Sequence, residues 1–78
     1  GTGSLTFTVA VHSGVSFFQL IVNGFATGYL ADSATDGDIE DALNAITPLS
    51  DVTATSVSSG VITFDKAASL SAIGADIT

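Results

Sequence analysis

His12 is the only imidazole in this chain, and two hydroxyls, Ser13 and Ser16, follow it closely. A nucleophilic site would need that imidazole to reach a hydroxyl while a carboxylate orients it. No motif links these residues to an orienting acid. His12 closes an alternating stretch on its polar side, beside a Ser-Gly turn, so it reads as a solvated strand-end residue. The second group with chemical potential is Asp36-x-Asp38-x-Glu40, which has the oxygen-rich look of a calcium loop. An EF-hand loop places glycine at its sixth position and a bidentate acid at its twelfth. Counted from Asp36 these positions hold Asp41 and Thr47, and counted from Asp32 they hold Gly37 and Leu43. Asp36, Asp38 and Glu40 therefore stand as calcium candidates beside a simpler reading, an acidic helix start favoured by the helix dipole. Asp36 with Asp38, or Glu40 with Asp41, are no better as a glycosidase pair, because that chemistry needs two acids facing each other across a cleft. No catalytic residue, cofactor or small-molecule substrate is expected.

The elements around these residues are easier to read. Leu5, Phe7, Val9 and Val11 alternate with Thr6, Thr8, Ala10 and His12, the period of a half-buried strand. Val15 to Val22 is nearly continuous in apolar residues, with Phe18, Leu20 and Val22 on one face and Phe17, Gln19 and Ile21 on the other. Both faces are partly apolar, so the second is expected to meet another layer or subunit. Asn23-Gly24 predicts a type I′ hairpin, since both residues tolerate positive φ. Phe25 to Leu30 is the expected return strand, with Gly28 as a bulge or close-contact point. Gly24 to Gly28 is not a phosphate cradle, because no helix starts directly after it.

Ile39, Ala42, Leu43 and Ile46 recur at helical spacing and predict an amphipathic helix over 38–46. Thr35 or Asp36 is the expected N-cap, and Pro48 the expected stop. Strands are predicted over 52–57 and 61–64, around Ser58-Ser59-Gly60. Ala67 to Ile73 fits a helical turn or an irregular crossing, and 75–78 a last edge strand. The fold class is α+β: a small, mostly antiparallel sheet of about five to six strands in β-β-β-α-β-β order, with one helix packed on it. Residues 1–78 form one domain, with 1–13 as a possible N-terminal strand or arm and 14–78 as the core module.

Composition narrows the partners. Eight acids face one lysine and no arginine, for a formal charge of −7. Phosphate recognition depends on Lys and Arg, so nucleic acid is not an expected partner. Anionic membrane surfaces are disfavoured for the same reason. The chain is 46% apolar, yet no run approaches the roughly 20 residues of a spanning helix. With no cysteine and one histidine, neither a disulfide nor a Cys/His zinc site can supplement a small core. Methionine is absent even at position 1, and Gly1-Thr2-Gly3-Ser4 reads as a linker or a cloning remnant.

The order of these pieces resembles a β-rich domain repeated in tailed-phage capsid, tail and fibre proteins. That domain has the form F-x-L-x-F-x-G-x-x-T, a short linker, a-A-L-x-x-L, a V-T-V strand, a Gly turn, V-T-F and a leucine-rich final strand. The matching residues are Phe18, Leu20, Val22, Gly24 and Thr27, then Ala42-Leu43 with Ile46. Val52-Thr53 with Thr55, Gly60, Ile62-Thr63-Phe64, Leu70 and Gly74 follow in order. Val22 replaces the usual aromatic, and paired glycines before the last hairpin are missing. The resemblance implies a non-enzymatic structural module of a virion, acting through contacts with its own copies or with other virion proteins. The expected interface residues are Leu5, Phe7, Val9 and Val11 on a β-augmenting arm, with Phe17 and Ile21 on the second face of the next strand. Two alternatives fit the same composition: a secreted self-assembling filament or surface-layer subunit, and a carbohydrate-binding module using Tyr29 and Phe25. The expected location is the virion, or else the extracellular space or cell surface.

Overall fold

The structure is a computed structural model and describes residues 2–46, 52 and 54–78. Its elements run β1 (Thr2–Val11), β2 (Phe17–Val22), β3 (Phe25–Ala26), β4 (Leu30–Ala31), α1 (Asp36–Ala45), β5 (Ala54–Ser58), β6 (Val61–Ile73) and β7 (Ala75–Ile77). The α+β class holds, with seven strands among the described residues instead of five to six, all antiparallel in their pairings.

The strand order is β3-β2-β6-β1-β7, with β4 also on β2 and β5 also on β6. β6 is the hub. Its first part, Val61–Phe64, lies between β5 and the Thr6–Thr8 part of β1, while Leu70–Ile73 pairs with β2. Ser69 stands opposite Thr2 and Ala75 opposite Val11, so a short stretch of β6–β7 subtends nearly all of β1. β1 must curve to meet both, and register shifts between Thr2 and Thr6 absorb the bend.

The inward faces follow the alternation. Phe7 of β1, Phe18, Leu20 and Val22 of β2, and Ile62, Phe64, Ala68 and Leu70 of β6 form the core, together with Val52. α1 closes it with Ile39 and Leu43, and Ile46 at its C-cap is buried too. Thr35 is the N-cap: its hydroxyl accepts from the Asp38 amide at 3.2 Å, and the Asp38 carboxylate accepts from the Thr35 amide at 3.1 Å. This is a capping box with aspartate in the glutamate position. Pro48, the expected stop, lies outside the described residues.

Three expectations change. β1 is no detachable arm, because it lies between β6 and β7 and sinks Phe7 to 1% exposure. The return strand 25–30 is split into β3 and β4 around Thr27-Gly28-Tyr29. Ala67 to Ile73 is the second half of β6, in which Ala68 and Leu70 point inward.

The split has a chemical cause. Thr27 is the buried polar side chain among the described residues. Its amide donates to the Leu20 carbonyl at 2.8 Å, and its hydroxyl accepts from the Leu20 amide at 3.1 Å. The same hydroxyl donates to the Gly28 carbonyl at 2.9 Å. One side-chain oxygen thus replaces a ladder carbonyl where the chain turns away from β2. Gly28 lies in open space, so it is not the predicted close-contact point. Thr27→Val keeps the volume but strands the Leu20 amide, and is expected to cost about 1–3 kcal/mol in urea unfolding. Thr27→Ser, which keeps the oxygen, should lose clearly less; equal losses would show that packing and not the hydroxyl matters.

Candidate interaction face

β2 turns Phe18, Leu20 and Val22 into the core, so Phe17, Gln19 and Ile21 must face outward. Register then places their neighbours. Gln19 stands opposite Ile73 and Ile21 opposite Ser71 on β6, while Ile21 stands opposite Ala26 on β3 and Phe17 opposite Ala31 on β4. Phe17 and Ile73 are therefore diagonal neighbours on one outer face, 61% and 59% exposed, with Ile21 half-buried beside them. Gln19, the most polar residue of this row, donates its side-chain amide to the Thr27 carbonyl at 2.7 Å. That contact ties its polar end to the β3–β4 break. No ionisable residue occurs in β2, β3, β4 or Ser69–Ile73. The result is an uncharged, apolar sheet face on a chain of net charge −7.

Gly74 holds the rim of this face. It has φ +81, and a Cβ there would stand 3.0 Å from the Phe17 carbonyl oxygen. Its own carbonyl accepts from the His12 amide at 2.9 Å. The turn at Gly74 thus seats the β6–β7 junction against Phe17 of β2 and the end of β1.

The predicted interface residues separate. Phe17 and Ile21 lie together on the outer face. Phe7 is core, Val9 and Val11 are half-buried against it, and Leu5 is exposed on β1 at 48%, in a different part of the sheet. Ile73 belongs to the face as well, because 67–73 is strand and not the helical turn or irregular crossing that its sequence suggests. Tyr29, at 78% exposure, is the most exposed large apolar residue among those described. Phe25, half exposed on β3, pairs with Val22 at the other end of β2.

The groups considered for chemistry have structural partners. His12 Nε2 and Asp76 Oδ1 are 2.8 Å apart on the exposed surface, joining the end of β1 to β7. Asp36 reaches across to the β5–β6 turn, where its carboxylate accepts from the Ser59 amide at 2.9 Å and the Gly60 amide at 3.4 Å. Ser59 and Gly60 have φ of 52° and 77°, a second turn of the Asn23-Gly24 kind. Asp38 is engaged in the helix cap. Asp36 and Asp38 thus face different backbone donors and do not converge on one point. Among the described residues no three acidic or imidazole groups cluster as a metal shell. Comparisons with protein-family models, with curated proteins and with solved structures found no match to this chain.

Proposed function

We propose that this chain is a structural module of a virion, of the capsid-decoration, tail or fibre type, working through contacts between subunits. The observation that carries the proposal is the uncharged face of Phe17, Ile21 and Ile73, presented by a sheet whose other side is filled by its own core. Apolar patches of this kind on small proteins mark interaction sites. The order of strand, hairpin, helix and hairpin residues that resembles phage structural domains supports the same reading. The strands that carry this face contain no acid, and the chain's net charge of −7 keeps an assembled surface soluble.

An antibody against the chain should label particles at regular spacing in electron micrographs of the culture that produces it. Label confined to cell-surface filaments would favour the secreted-filament alternative instead, and label on neither would overturn both. Self-contact is read separately, from absolute mass by light scattering across a concentration series. The native chain is expected to exceed its monomer mass as concentration rises. Phe17→Ser with Ile73→Ser should weaken that association by about 2–4 kcal/mol, since each side chain is already part-buried and full burial is worth roughly 1.5–3 kcal/mol. The fold itself should change little, as for other surface substitutions. A native chain that stays monomeric throughout would remove self-association and leave contact with another virion protein.

A further inference from the structure

Two places in the chain put a side-chain carbonyl carbon next to a glycine amide: Asn23-Gly24 and Asp36-Gly37. With no Cβ at the following residue, that amide nitrogen is open to attack the carbonyl carbon and close a five-membered imide. At Asn23 the Gly24 nitrogen bonds to Cγ, the Cγ–Nδ2 bond breaks, and ammonia leaves with the Gly24 proton. Water then opens the ring at either carbonyl, leaving aspartate or isoaspartate at position 23. At Asp36 the same attack expels water and returns aspartate or its isomer. Water is the only co-reactant in either case.

Both carbonyl carbons are tied down in the fold. Asn23 Oδ1 accepts from the Ser69 amide at 2.9 Å, while the Asn23 amide donates to the Ser69 carbonyl, also at 2.9 Å. Turning Cγ onto the Gly24 nitrogen would break the first of these bonds. The Asp36 carboxylate is held at both oxygens by Ser59 and Gly60, inside a helical first turn. Asn23 lies at an exposed hairpin tip outside any helix, and its neutral amide is the better electrophile. We propose that Asn23 is the chain's principal site of spontaneous covalent modification, a deamidation controlled by opening of the β2–β6 pairing.

The two products differ in consequence. Aspartate keeps an acceptor for the Ser69 amide and adds one negative charge at the end of β2. Isoaspartate adds a backbone carbon, which a two-residue hairpin cannot absorb.

The test is a time course on the full chain in mildly alkaline buffer, native and in denaturant. Digestion with chymotrypsin and mass spectrometry then locate the amide-to-acid change and separate the isomers. Deamidation of Asn23 is expected in both, at least about tenfold slower in the native chain, because only the opened population reacts. Isomerisation at Asp36 should trail it in the native chain. Equal rates at Asn23 with and without denaturant would overturn the control by β2–β6 pairing, and native modification of Asp36 ahead of Asn23 would overturn the choice of site. Asn23→Asp, which keeps the acceptor, should leave the melting midpoint within the scatter of surface substitutions. Loss of the fold in that variant would also overturn the proposal.

Discussion

Phe7→Ala is expected to unfold a large part of the population at 37 °C. Phe7 is almost fully enclosed, and its ring meets that of Phe64 edge-on, with centroids 5.7 Å apart and planes at 66°. Truncating a buried phenylalanine costs about 3–5 kcal/mol in lost transfer energy and residual cavity. A domain of this length has roughly 4–12 kcal/mol to lose at 0.05–0.15 kcal/mol per residue. Its position in that range should be low, because small domains bury less surface and no disulfide assists. Urea unfolding followed by circular dichroism should show the midpoint falling by about half or more. A shift close to zero would mean that β1 is peripheral after all. Removing residues 1–11 should act in the same direction and leave an unfolded remainder, since β6 and β7 would both lose a neighbour.

Gly74→Ala is expected to cost about 2–4 kcal/mol, although it adds only one methyl group. Two effects combine. A side chain at φ +81 is strained by its own backbone, and the new Cβ would stand 3.0 Å from the Phe17 carbonyl oxygen and 3.4 Å from the Phe18 Cβ. The nearest of these atoms is backbone, so relief requires β2 to move relative to β6. That shift would disturb the Phe17–Ile73 face along with the core. Gly28→Ala is the matched control: no atom lies within 4 Å of its added Cβ and its φ is not left-handed. Thermal unfolding should place Gly28→Ala within about 0.5 kcal/mol of the native chain. Similar losses at the two glycines would show that neither strain nor contact at Gly74 is responsible.

Features set by local chemistry were legible in the sequence. Asn23-Gly24 gave its hairpin because positive φ at both positions is a property of those residues, here 51° and 87°. The helix face, with Ile39 and Leu43, and the cap at Thr35 rest on spacing and on one hydroxyl. The alternation in β1 was equally clear, but period two says only that one face is buried. It does not say against what, and the partner turned out to be this chain's own β6 and not a neighbour's sheet. The second half of β6 was hidden because its inward residues, Ala68 and Leu70, are separated by small, weakly strand-forming ones. With it went Ile73, and so part of the outer face. Phe17 and Ile21 could be assigned outward because one small core cannot take both sides of β2. The role of Thr27 was also out of reach, since nothing in a Thr-Gly pair shows that its hydroxyl will replace a main-chain acceptor.

The pairing of Thr8 with Thr78 also bears on how this segment can fold during synthesis. Thr8 exchanges both backbone hydrogen bonds with Thr78, and Thr2 lies opposite Ser69. β1, which lies between β6 and β7, therefore waits for the last residues of this segment before its pairing is complete. During synthesis, the β2–β3 hairpin and α1 can form early, while β1 remains an exposed alternating apolar strand with no native partner. Such high contact order slows folding and lengthens exposure to wrong pairings. The threonines on its outer side, Thr6 and Thr8, then keep the waiting strand hydrated. Stalling translation after α1 should yield a nascent chain whose β1 is protease-sensitive, and release of the remaining strands should protect it.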